Sequence, residues 1–158
     1  MTDTLGAHMD YLPATPESWA WIDDTFGWRL REMTCGPRDV GAQVAALHRV
    51  LFTGAGTALV SSPIGYPDEW TGWAVGLGGS LVFAYVREEF RKQGIGHRLI
   101  VRATQGHPVH VAYWTEDAEE MQAHGYQIEY DIRAYQALLS FVRGPERRRR
   151  IRAVPVAA

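Results

Sequence analysis

The sequence holds one cysteine, Cys35, so neither an internal disulfide nor a cysteine-rich metal site can form. Cys35 reads as a small buried or half-buried residue rather than a nucleophile. Lysine is almost missing too: Lys92 stands alone beside fifteen arginines. No apolar run approaches the ~20 residues a membrane span requires. "MTDTLGAHMD" lacks the basic start and apolar stretch of a signal peptide. A cytoplasmic protein with no membrane partner is expected. His8, His48, His107 and His124 show no ligand spacing, so no metal is expected either. There are no internal repeats and no long linkers.

What is present fits one folded domain. The chain has 158 residues, 46% hydrophobic and 22% charged, enough for a real core but not for a second catalytic module. The net charge of −2 hides an asymmetry. Residues 143–152, "RGPERRRRIR", carry six arginines and one glutamate, a net +5, which leaves −7 on the rest. The boundaries expected are a domain over 1–142 and a basic tail over 143–158. An acidic body is not a nucleic-acid-binding domain by charge, so such a partner is expected only through the tail.

Periodicity and turn chemistry give the order of elements. "MDYLPAT" reads as a strand ended by Pro13. "TPESWAWIDDTFGWRL" reads as a helix opened by Thr15 and Pro16, with Trp19, Ile22 and Phe26 on one face. "RDVGAQVAALHRVLF" follows as a second helix with the stripe Val40, Val44, Leu47 and Leu51. "GTALVSS", "TGWAVGL" and "SLVFAYV" are strands, the last two joined in a hairpin at Gly78-Gly79. A helix then has Ile95, Leu99 and Ala103 inward. "HPVHVAYWT" is a strand, "EDAEEMQAH" an acidic helix and "GYQIEYDIR" a strand, and "AYQALLSFV" fits a strand or a short helix. The expectation is an α/β (α+β) domain with a mixed sheet, and a parallel pair across the crossover at residues 80–114.

The stretch "REEFRKQGIGHRLI" concentrates the chemistry. Arg91, Lys92, Gln93, Gly94, Ile95 and Gly96 match [Q/R]-x-x-G-x-[G/A] where an apolar strand ends and a helix begins. A helix N-terminus leaves backbone N–H groups without intrahelical partners and carries about half a positive charge. Glycines there let an anion reach those donors.

This segment, "LVFAYVREEFRKQGIGHRLI", resembles the acyl-CoA-binding motif of the GNAT N-acyltransferase superfamily from about Gly72 to Tyr126. It is particularly similar to small GNAT-like proteins encoded near phage structural genes. The resemblance implies a GNAT-like mixed central sheet with helices on both faces and acetyl-CoA as acyl donor. The acceptor implied is a primary amine of a small molecule, a protein N-terminus or a lysine. A homodimer is compatible with it. The backbone of Tyr85 and Val86 would pair with the pantetheine arm. Arg91, Lys92, Gln93, Gly94, Ile95 and Gly96, with the N–H of His97, would hold the pyrophosphate. "VHVAYWT" would splay away and open the slot for the thioester.

Acyl transfer to an amine needs a base, because an alkyl amine is almost wholly protonated at neutral pH. The base candidates are Glu69, Asp68, Glu116 and His110. The family's usual acid is a tyrosine four residues before a "GF"; here Gly125-Tyr126 stands for that pair and Met121 occupies the position. Tyr126, with Tyr113 and Tyr130, is the substitute candidate. Three classes stay open: an acyltransferase, a CoA-binding module without turnover, and an interaction protein docking through its tail.

Overall fold

The computed structural model describes residues 4–33, 39–104 and 109–142. Cys35, His107 and the basic tail lie outside the described residues. The chain begins with a short helix, α1 (Thr4–Ala7), before strand β1 (Met9–Pro13). Helices α2 (Pro16–Glu32) and α3 (Val40–Thr53) follow, then strands β2 (Thr57–Pro63), β3 (Gly72–Leu77) and β4 (Ser80–Val86). A single 3-10 turn, Glu88–Phe90, leads to α4 (Ile95–Thr104), β5 (Val109–Val111), α5 (Glu116–Ala123) and β6 (Ile128–Tyr130). Residues 132–142 form a last helix, α6.

Local chemistry accounts for the boundaries. Pro16 opens α2 after an extended Thr15, and the Asp39 side chain caps α3 by accepting from the Ala42 N–H at 2.9 Å. Gly54 ends α3 in the left-handed conformation. Gly78 and Gly79, with φ of +59° and +83°, make the tight β3–β4 turn expected from the sequence.

The six strands lie side by side in chain order. β1 to β4 are antiparallel, while β4–β5 and β5–β6 are parallel. The expected parallel crossover is present, and a second one through α5 accompanies it. Among the described residues "HPVHVAYWT" and "GYQIEYDIR" contribute three strand residues each, Val109–Val111 and Ile128–Tyr130. "AYQALLSFV" is helical: Ala134 and Leu138, one turn apart, bury on the same face.

Helices cover both faces of this mixed sheet. α2, α3 and α6 pack over Trp73, Val75, Phe83 and Tyr85. α4 and α5 pack over Ala74, Leu81, Val86 and Val111 on the other face. Burying Ile95, Leu99 and Ile100 contributes roughly 1.5–3 kcal/mol apiece, which pins the first turn of α4 against the sheet. Gly76 makes that approach close, since a Cβ there would collide with the Ala103 carbonyl. In α3 the buried stripe is rotated from expectation: Gln43, Ala46, Leu47, Val50 and Leu51 are inside, and Val40 and Val44 pack at the margin.

Candidate functional site

β4 and β5 meet at one point. Leu81 lies opposite Val111, and the Ala112 N–H donates to the Leu81 carbonyl at 2.9 Å. β4 then runs on to Val86 with no strand on its β5 side among the described residues. The gap is the splay expected from the sequence. Its cavity volume is about 10 Å³, little more than one water occupies, and it is lined by Phe83, Ala84, Tyr113, Thr115, Asp117 and Ala118 among others.

The parity of the β3–β4 ladder decides which backbone groups face the gap. Arg87 N–H donates to the Thr71 carbonyl at 2.8 Å, so every second residue of β4 bonds toward β3. Tyr85, opposite Trp73, is one of these. Ala84 and Val86 therefore turn their N–H and C=O groups into the gap. Arg91 agrees with this parity, since its Nε donates to the Val86 carbonyl at 2.8 Å from the gap side. The resemblance implied Tyr85 and Val86; the open edge belongs to Ala84 and Val86. Tyr85 instead buries its ring against Trp21, Trp28 and Trp73.

The glycine loop lies at the same end of β4. Lys92 and Gly94 adopt left-handed backbone, with φ of +61° and +82°. Arg98 N–H bonds to the Gly94 carbonyl at 3.3 Å, so the N–H groups of Ile95, Gly96 and His97 precede the ladder of α4. The Ile95 side chain is buried and serves as the loop's anchor. A Cβ on Gly96 would meet Val86 Cγ2 at 3.5 Å, an ordinary contact, and its φ is not left-handed. The protein itself does not require glycine at 96, so the bare backbone there fits a ligand's need rather than packing.

One support for the loop was not legible in the sequence. Gly6 in α1 donates its N–H to the Gln93 carbonyl at 2.8 Å, and a Cβ at Gly6 would lie 2.9 Å from the Gly94 carbonyl carbon. The Tyr11 hydroxyl donates to the Gly6 carbonyl at 2.7 Å and ties this brace to β1. Gln93 thus spends its carbonyl on the brace.

Comparisons with protein-family models and with curated proteins find no match. Solved structures do match. A GCN5-related N-acetyltransferase described as "Aminotransferase, Class-II", from Rhodopseudomonas palustris, is 18% identical, with a TM-score of 0.50. The match covers 73% of this chain and 78% of that one. A possible acetyltransferase from Clostridium difficile 630 is 14% identical, with a TM-score of 0.52, covering 73% and 86%. The fold is that of the GNAT superfamily. At these identities the likeness speaks for the fold alone, and neither neighbour bears on the phage-type resemblance.

Within the GNAT fold the candidate residues separate by position. Asp68 and Glu69 are exposed in the turn that precedes β3, at the Val86 end of the sheet. Glu116 is exposed at the start of α5, at the same end. His110 is not brought to the gap. The register sets it level with Ser80, about 20 Å of strand rise from Val86, and it faces Asp131 at 3.5 Å. Tyr113 is buried and donates to the Gln43 side chain, and burial pushes its phenol far above the usual range. Tyr130 is exposed on β6. Tyr126 packs its ring 4.4 Å from that of His97, against the first turn of α4. Met121 is a core residue on the α4–α5 face.

The carboxylate that borders the gap is Asp117, which the sequence reading did not single out. Asp117 is exposed overall yet borders the gap, and desolvation raises its pKa above the ordinary value. Arg91 and Arg29 pull it down and Glu120 and Glu116 push it up, but loss of water dominates. Asp117 resembled any other carboxylate of an acidic helix, and only the position of β4 distinguishes it. Among the described residues no group of three or more His, Cys, Asp or Glu could hold a metal. No described helix is long and apolar enough to cross a membrane.

Proposed function

We propose that this GNAT-fold chain is an acyl-CoA-dependent N-acyltransferase that moves an acetyl or short acyl group to a primary amine. The observation that carries the reading is the convergence of two features at one end of β4. Ala84 and Val86 turn unpaired-strand backbone into a gap, and the N-terminus of α4, with bare backbone at Gly96, opens beside it. That pair suits a ligand with an extended amide-bearing arm and a pyrophosphate, which is the chemistry of CoA.

Acyl-CoA would supply an activated carbonyl on a thiol leaving group. Ala84 and Val86 would hold the arm as an added strand, and their N–H groups would be the donors available to a developing oxyanion. Ile95, Gly96 and His97 present N–H groups to phosphate, with Lys92 adding charge at the exposed rim. Transfer forms a C–N bond, breaks a C–S bond and moves one proton from nitrogen to sulfur. Asp117 is the group in the gap able to accept the amine proton, because a raised pKa makes it a stronger base than an ordinary aspartate. Glu69 and Glu116 are the exposed alternatives at that end.

Calorimetry with acetyl-CoA tests the cradle, and release of free thiol against a panel of amines tests turnover. Micromolar binding with amine-dependent thiol release is expected. One observation favours a second reading, a CoA-binding module without turnover: Met121 is in the core, and a thioether cannot donate a proton. Binding without thiol release for any amine would select that reading.

A further inference from the structure

One face of α2 repeats a pattern. Glu17, Trp21, Asp24 and Trp28 fall at i, i+4, i+7 and i+11, so they share a stripe. Ring contacts show where the stripe looks. Trp21 and Trp28 both stand edge-on to Tyr85, with centroids at 6.0 and 6.4 Å and interplanar angles of 75° and 76°. Tyr85 is the floor and the two indoles are walls, two helical turns apart, with Asp24 between them in sequence and on the same face. Trp70 extends one wall by stacking on Trp21 at 5.7 Å. Just before Trp70, Asp68 and Glu69 are exposed. Trp28 remains 48% exposed.

We propose that this aromatic wall binds a second positive charge of the acceptor, making the substrate an aliphatic diamine or polyamine rather than a monoamine. The proposal rests on the N-acyltransferase reading. A cation gains most over an indole face, and carboxylates at the rim add to that attraction. Two nearby arginines face carboxylates of their own. Arg29 pairs with Glu32 at 3.1 Å, and Arg87 with Glu89 at 2.6 Å. Arg91, over Tyr85 at 5.9 Å, is opposed by Asp117. Among the described residues no ion pair involves Asp24, Asp68 or Glu69.

The wall cannot serve the reacting nitrogen. That nitrogen must lose its proton to attack, whereas a ring-and-carboxylate cage holds an amine in its charged form. The caged nitrogen is therefore a different one. Tyr85 sits in β4 between Ala84 and Val86, the two residues whose backbone lines the gap, so cage and transfer point are neighbours along one strand.

The test compares butylamine with 1,4-diaminobutane on the CoA-saturated protein. Tryptophan fluorescence reads binding there, and thiol release, followed separately with acetyl-CoA, reads turnover. Diaminobutane is expected to bind about tenfold tighter and to show a KM lower by a similar factor. Trp28→Leu and Asp24→Asn should each erase most of that ratio, with kcat for the diamine moving less than about threefold, in variants whose melting is unchanged. Equal affinity of the two amines, or variants that weaken both alike, would overturn the cage. Diamine-selective binding that the variants abolish, without thiol release, would sustain the cage and overturn the acyltransferase reading instead. Turnover of both amines with no diamine preference would keep that reading and remove the cage.

Discussion

The Arg91 guanidinium donates through Nε to the Val86 carbonyl at 2.8 Å and lies over the Tyr85 ring. A basic residue of the motif is thus fixed to the end of β4. It takes one of the four polar groups that Ala84 and Val86 turn into the gap, and it brings positive charge close to where a pyrophosphate would lie. Arg91→Met should weaken acetyl-CoA binding about tenfold by calorimetry. It should also lower stability by about 1 kcal/mol in denaturant melts, the scale of one hydrogen bond that is half open to water.

Gly94 and Gly96 should separate structural from ligand-related need. Gly94 has φ +82°, so Gly94→Ala is strained and should cost on the order of 1–2 kcal/mol of stability. Gly96 has no such φ, and an added Cβ meets only Val86 at 3.5 Å. Gly96→Val should keep the melting transition within a few degrees yet reduce acetyl-CoA affinity at least about a hundredfold, because its methyls stand over the N–H donors. Undiminished affinity in a folded Gly96→Val protein would falsify the cradle.

Asp117 carries a sign that pH can test. Its folded-state pKa is raised above 3.8 by desolvation, so the native state holds that proton more tightly than the unfolded chain does. Stability from this group is complete below the ordinary carboxylate pKa and is lost as pH rises through the raised value. Asp117→Asn should therefore melt higher than the parent at pH 7 and no higher at pH 3. The same variant should slow amine-dependent thiol release about a hundredfold and remove the acidic limb of the rate profile. An unchanged profile would assign the proton to Glu69 or Glu116.

Met121 offers a control on the family comparison. It is buried beside Ala118, Val109 and Ile128 in the α4–α5 core. Met121→Tyr puts a larger, polar-tipped side chain into that packing and should destabilise by about 1–3 kcal/mol. No gain in thiol release should accompany it, since the hydroxyl is placed among core groups. A faster variant with unaltered melting would show that the site admits a tyrosine after all.

Much of the frame was legible because its causes are local. Pro16, the Gly78-Gly79 pair and the apolar periodicity at Ile95, Leu99 and Ala103 each act within a few residues, and the elements formed where those signals stand. The [Q/R]-x-x-G-x-[G/A] loop falls at the end of β4 and the start of α4, as its pattern required. The misreadings involve partners far apart in sequence. "HPVHVAYWT" has strand composition throughout, but among its described residues only Val109–Val111 finds a neighbour to pair with. α1 is too short for any periodic signal, and its Gly6 matters only because Gln93 lies against it.

The sequence by itself determined the kind of chemistry on offer. A glycine-bare helix start, an acidic body and one cysteine are properties of residue type and spacing, which no packing can alter. Only the tertiary structure decided which groups take part. Strand parity, fixed by one bond between Arg87 and Thr71, turned Ala84 rather than Tyr85 toward the gap. Register carried His110 to the far end of β4, and the place where α5 docks put Asp117 into the opening. Hydrogen-bond direction and desolvation depend on what lies across the sheet, and a linear chain does not state its neighbours across space.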